Sequence, residues 1–112
     1  YFIGSDVVYG NQAKSILLND SDIDFENWEE LCVNLTHSSL EKYKTDICLT
    51  ILGEAGPLSS SQYSVGTIFI CISNGDKTVI TDHKMNGNRE EILQRSANKA
   101  QWELIKFIKN LY

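Results

Sequence analysis

Apolar and polar positions change period several times along the chain, and each change marks an element. Over residues 26–43 the apolar positions Trp28, Leu31, Cys32 and Leu35 recur at helical spacing with charges on the other side, which predicts an amphipathic helix. Residues 45–52 form a short apolar run with β-branched members, bounded by Asp46 and Gly53, and read as a strand buried on both faces. Two more β-branched runs, 65–73 and 77–83, flank Asn74-Gly75, a two-residue hairpin signal. Leu93, Ala97, Ala100, Leu104, Ile108 and Leu111 then space by three or four, predicting a long closing helix that Asn88 is placed to cap.

The opening of the chain is less regular. Phe2, Val7, Val8 and Tyr9 are β-formers, so residues 1–9 read as a strand with an irregularity at Gly4. Residues 13–18 supply a short helical stretch that the polar cluster Asn19-Asp20-Ser21-Asp22 ends. Residues 54–62 are loop, since Pro57, glycine and three consecutive serines show no periodicity. The order strand, helix, helix, strand, strand, strand, helix gives an α/β layer structure. A sheet of about four strands with an apolar strand near one end reads as incomplete, so an N-terminal strand and helix are expected ahead of residue 1.

Charge and cysteine usage narrow the function classes. Against 10 Lys and Arg stand 15 Asp and Glu, a net charge of -5, which disfavours a phosphodiester partner and so a nucleic-acid role. No apolar run approaches the roughly 18 residues of a membrane helix, and the start does not resemble a signal peptide; no membrane partner and a cytoplasmic location are expected. Cys32, Cys48 and Cys71 are odd in number, lack C-x-x-C spacing and sit in apolar segments, so they read as small buried hydrophobes. His37 and His83 have no second ligand nearby in sequence, and no metal is expected. Trp28 and Trp102 read as core or interface residues of their helices.

Two separated stretches carry a resemblance. The first holds Phe2, Gly4, Val7, Tyr9, Asn11, Ala13 and Lys14; the second is Gly53-Glu54-Ala55-Gly56-Pro57, followed by Ser64-Val65-Gly66-Thr67 and Gly87-Asn88-Arg89. In order and spacing they resemble the C-terminal domain of the competence-damage-inducible protein CinA, the nicotinamide-nucleotide amidase family, over essentially the whole chain. The resemblance implies one domain over residues 1–112, folded as a three-layer α/β/α sandwich with a mixed sheet. It implies hydrolysis of the carboxamide of nicotinamide mononucleotide to nicotinate mononucleotide and ammonia, without a cofactor. Lys14 matches the lysine that activates a serine nucleophile, and Tyr9 stands beside it as the other catalytic candidate. Asn11, Ala55, Gly56 and Arg89 are the substrate-binding candidates, the loop offering backbone N–H groups to an oxyanion or phosphate. The partner class is a small nucleotide substrate or ligand, with self-association left open.

The departures point the other way. The Glu-Ser-Cys-Thr-Gly-Gly and Gly-Ser-Ser segments of the family have no counterpart here, so the nucleophile is expected upstream of residue 1. Leu52 replaces a hydroxyl residue, Glu54 an isoleucine, Ser64 a proline and Asn88 an aspartate. Leu58-Ser59-Ser60-Ser61 replaces a glycine pair, and Phe25-Glu26-Asn27-Trp28 replaces a Gly-Ala-Val-Ser element. A carboxylate at Glu54 would repel a nucleotide phosphate unless it is paired. The alternative to an amidase is therefore a catalytically inactive member that binds a nucleotide or a protein.

Overall fold

The computed structural model describes residues 2–7, 14, 18, 24–59 and 62–111. Helix α1 is Trp28–Tyr43; strands β1 (Cys48–Gly53), β2 (Thr67–Ser73) and β3 (Thr78–Lys84) follow, and helix α2 is Arg89–Lys109. Asn27 starts α1 by accepting the Glu30 N–H at its side-chain oxygen, 3.2 Å away, satisfying one of the helix's orphan donors. Lys44 ends it in the left-handed conformation, φ 52°, with its N–H on the Leu40 carbonyl. Asn88 starts α2 with a capping box in which Glu91 returns a bond to the Asn88 N–H.

The described sheet has the order β1-β2-β3 and is antiparallel throughout, with Ile51 opposite Ile70 and Ile70 opposite Thr81. Successive β2 side chains alternate between two cores. Ile68, Ile70 and Ile72 pack with Ile92, Ala100 and Phe107 of α2. On the other face Cys71 joins Leu52 and the α1 residues Trp28, Leu31, Cys32 and Leu35, with Tyr63 and Phe69 packed against them. The Trp28 and Tyr63 rings lie 4.5 Å apart, and the Tyr63 hydroxyl accepts the Trp28 N–H and donates to the Glu26 carbonyl. A helix on each side of one sheet gives the three α/β/α layers expected, while the three described strands pair only antiparallel where a mixed sheet was expected.

Several expectations need correction. Residues 2–7 form no strand, while residues 1, 8 and 9 of the predicted strand lie outside the described residues. Side chains rather than a backbone ladder hold this segment: Asp6 pairs with Lys42 at 3.0 Å and Gly4 abuts the Tyr43 ring, leaving Phe2, Ile3 and Val7 exposed. Strand β1 is not buried on both faces; Leu52 is, but Ile51 is 42% exposed, as suits an edge of the described sheet. The hairpin loop runs over residues 74–77 rather than two residues, because Ser73 pairs with Thr78 and the Asn74 side chain accepts the Asp76 and Lys77 N–H groups.

The buried stripe of α2 is Ile92, Ser96, Ala100, Glu103 and Phe107, one position round from the predicted one. Its two polar members obscured it. Ser96 donates to the Ile92 carbonyl at 2.6 Å, and Glu103 lies 3.5 Å from Lys99 and 3.9 Å from His83. Leu93 and Ile108, on the apolar stripe that predicted the helix, are exposed, and so is Trp102, while Trp28 is buried.

The cysteines are free, Cys32 and Cys71 fully buried and Cys48 partly so. A hydrogen bond to Cys71, together with burial, pushes the Cys32 thiol far up and keeps it neutral. No helix among the described residues is long and apolar enough to cross a membrane.

Candidate functional site

Three connections converge at one end of the sheet: the exit from β1 (residues 53–57), the entry to β2 (62–66) and the exit from β3 (85–88). Backbone bonds tie them in series. The Glu54 N–H donates to the Thr67 carbonyl at 3.0 Å, the Gly66 N–H to the Glu54 carbonyl at 2.6 Å, and the Met85 N–H to the Gly66 carbonyl at 2.8 Å. Gly66 sits at φ +96°, and a Cβ there would collide with the Met85 carbonyl, so the residue has to be glycine for conformation and space together. This accounts physically for the Val65-Gly66-Thr67 motif.

Cations close the arrangement from outside. Arg89, the first residue of α2, donates from Nη1 to the Gly56 carbonyl at 2.9 Å. Lys84 Nζ donates to Ser64 Oγ and the Val65 carbonyl, and Arg95 reaches the Asn86 carbonyl. These three side chains satisfy carbonyls that the irregular backbone leaves without ladder partners. Gly56 itself is at φ +82°, with its peptide to Pro57 cis. Ala55 is half-buried and packs against the core on the α2 side.

The charge of Glu54 in this loop acts on Lys14. The backbone of Lys14 is helical, as is that of Leu18; the other residues of the stretch expected at 13–18 lie outside the described residues. Lys14 is half-buried, whereas Glu54 is only 7% exposed. Burial pushes the Lys14 ammonium below its usual lysine value, and the Glu54 carboxylate partly opposes that shift. A lysine amine serves as a base only where its surroundings bring its pKa down toward the working pH.

Of the six site residues expected from sequence, Ala55, Gly56 and Arg89 come together at the loop at 53–57, and the charge of Glu54 in that loop acts on Lys14. Tyr9 and Asn11 lie outside the described residues. Glu54 was legible only as a departure from a motif, yet its charge acts on Lys14. Leu52, the other departure, points into the core between β1 and α1. Gly66 and Lys84 were missed as site residues; the Gly66 signal was present in its motif, whereas nothing in the sequence announces that Lys84 folds back on Ser64 and Val65. Among the described residues no group of three or more His, Cys, Asp or Glu side chains is placed to hold a metal ion.

The family model described as the CinA C-terminal domain matches residues 1–108. A CinA-like protein of Prochlorococcus marinus is 34% identical over 105 residues, covering 87% of this chain and 25% of its own length. One from Syntrophomonas wolfei is 30% identical over 115 residues, covering 98% of this chain and 28% of its own length. Among solved structures, the CinA superfamily protein of Enterobacter cloacae superposes with a TM-score of 0.81 at 20% identity, covering 88% of this chain and 62% of that one. The Escherichia coli superfamily protein gives 0.76 at 17% identity, covering 88% and 60%. The chain thus spans under a third of the curated relatives and about three fifths of these solved ones.

Proposed function

The chain belongs to the CinA C-terminal domain family, and on that premise we propose that it carries the base and the binding loop of an amidase acting on nicotinamide mononucleotide. Hydrolysis of the carboxamide needs a nucleophile, a group that takes its proton and returns it to the leaving ammonia, and donors for the oxyanion. The observation that carries the reading is Lys14: half-buried, and with its pKa lowered by that burial. In its neutral form Lys14 takes the proton of an attacking hydroxyl, and as an ammonium it delivers that proton to the departing nitrogen. The positive φ of Gly56 lets the loop backbone approach a substrate closely, while Arg89 and the Glu54–Gly66 bond hold its shape.

One observation favours a second reading, a member that binds without reacting. Glu54 raises the Lys14 pKa and so opposes the neutral form. The matched motifs also supply no serine nucleophile. Ammonia release from nicotinamide mononucleotide by the full-length protein separates the readings. We expect release by the wild type and a loss of about a hundredfold or more in Lys14→Ala. Equal inactivity of both proteins, with the nucleotide still bound, would leave the non-reacting reading.

A further inference from the structure

Helix α2 carries apolar side chains outside its buried stripe. Trp102 is 69% exposed, and Leu93, Ile105 and Ile108 are exposed on the same helix. The packing of Ile92, Ala100 and Phe107 against β2 uses none of these four. A tryptophan is a common anchor of protein interfaces, and exposed apolar surface rimmed by polar residues marks an interaction site. Charge says which partner fits. Glu90 stands in the first turn of the helix and Lys109 in its last, both exposed, and neither forms an ion pair among the described residues. The helix is thus acidic at one end of its exposed apolar face and basic at the other, a pattern that complements itself when reversed.

We propose that this face is a self-association surface, on which α2 of a second copy lies antiparallel across a two-fold axis near Gln101. Such a contact is isologous, each pairing occurring twice. With the axis there, Leu93 of each copy meets Ile108 of the other, the small, exposed Ala97 makes room for Ile105, and Glu90 meets Lys109. Trp102 lies beside the axis, so the two indoles sit at the centre. Within one copy Glu90 and Lys109 stand about 28 Å apart along the helix, too far to pair. A helix of 21 residues offers a face about 30 Å long and 10 Å wide, well short of the roughly 800 Å² that each partner of a standard interface buries. The dimer is therefore a weak, concentration-dependent one. It stands apart from the amidase reading.

Sedimentation velocity of the full-length protein across the micromolar range should show a monomer giving way to a dimer. The emission of Trp102, isolated by difference from Trp102→Phe, should shift to the blue over the same range. Ile105→Glu places a carboxylate in the seam and should weaken the dimer about tenfold or more. Glu90→Lys and Lys109→Glu should each weaken it about threefold, and the protein carrying both should recover the wild-type affinity, because the exchanged charges still face one another across the axis. All of these positions are exposed, so the fold is expected to be retained and is checked by circular dichroism. A protein that stays monomeric throughout, a dimer indifferent to Ile105→Glu, or a double charge variant weaker than either single one would overturn the proposal. Trp102 emission already blue in the dilute monomer would overturn it too, since another segment of the same protein would then cover the face.

Discussion

Lys14 and Arg89 come from opposite ends of the sequence, and their surroundings treat the two cations differently. Arg89 is exposed and donates to the Gly56 carbonyl, so its fork braces the backbone. Lys14 is half-buried, and burial pushes its pKa below the usual lysine value while the Glu54 charge opposes that shift. Arginine keeps its charge in almost any surroundings, whereas a lysine amine titrates with its surroundings. The difference teaches that proximity to a glycine loop does not define a chemical role. What the charge is bonded to, and how much water reaches it, decides how readily it titrates.

The sharpest way to break the comparison is to remove the ground both residues stand on. Gly66→Ala adds a Cβ against the Met85 carbonyl at a positive φ, and a loss of roughly 2–4 kcal/mol is expected, read as a lower denaturant midpoint together with loss of any nucleotide binding. Lys14→Met separates the two roles. It should abolish Lys14-dependent ammonia release, about a hundredfold or more, while the fold stays intact in circular dichroism.

The same variant has a pH signature. Because the folded-state value of Lys14 lies below the ordinary 10.5, the unfolded chain binds more protons between the two values, and the fold gains stability as pH rises through that window. Denaturation curves across that alkaline range should show the gain in the wild type and its absence in Lys14→Met. An identical slope in both proteins would place Lys14 in water.

Arg89→Ala tests the scaffold side. It removes one hydrogen bond to Gly56 and should cost about 1 kcal/mol in denaturation, with a weaker effect on rate than Lys14→Met. The ratio of the two rate losses is the informative quantity, since equal losses would mean that Arg89 touches substrate. Asn88→Ala is the smallest expected change: loss of the α2 cap should cost about 1 kcal/mol or less in the melting profile and leave the Lys14 titration where it was.

Much of this arrangement was legible from residue pattern. The two helices, the three described strands and the Asn88 cap follow from periodicity and turn chemistry, because each segment's local preference agrees with its packing. Three things were hidden for physical reasons. The buried face of α2 contains Ser96 and Glu103, so a rule that counts apolar residues chose the neighbouring stripe with Leu93 and Ile108. The hairpin loop lengthened because the Asn74 side chain captures two N–H groups, which a two-residue signal does not anticipate. The Lys14–Glu54 relation spans 40 positions and depends on tertiary placement alone, so no spacing could reveal it.

The pH dependence of ammonia release from nicotinamide mononucleotide by the full-length protein tests the central claim most directly. If Lys14 works as a base depressed by burial, kcat/KM rises with pH and levels off below the ordinary lysine value of 10.5, and the rise vanishes in Lys14→Met. A profile shared by wild type and Lys14→Met, or a rise that continues to the value of a solvated lysine, would contradict it.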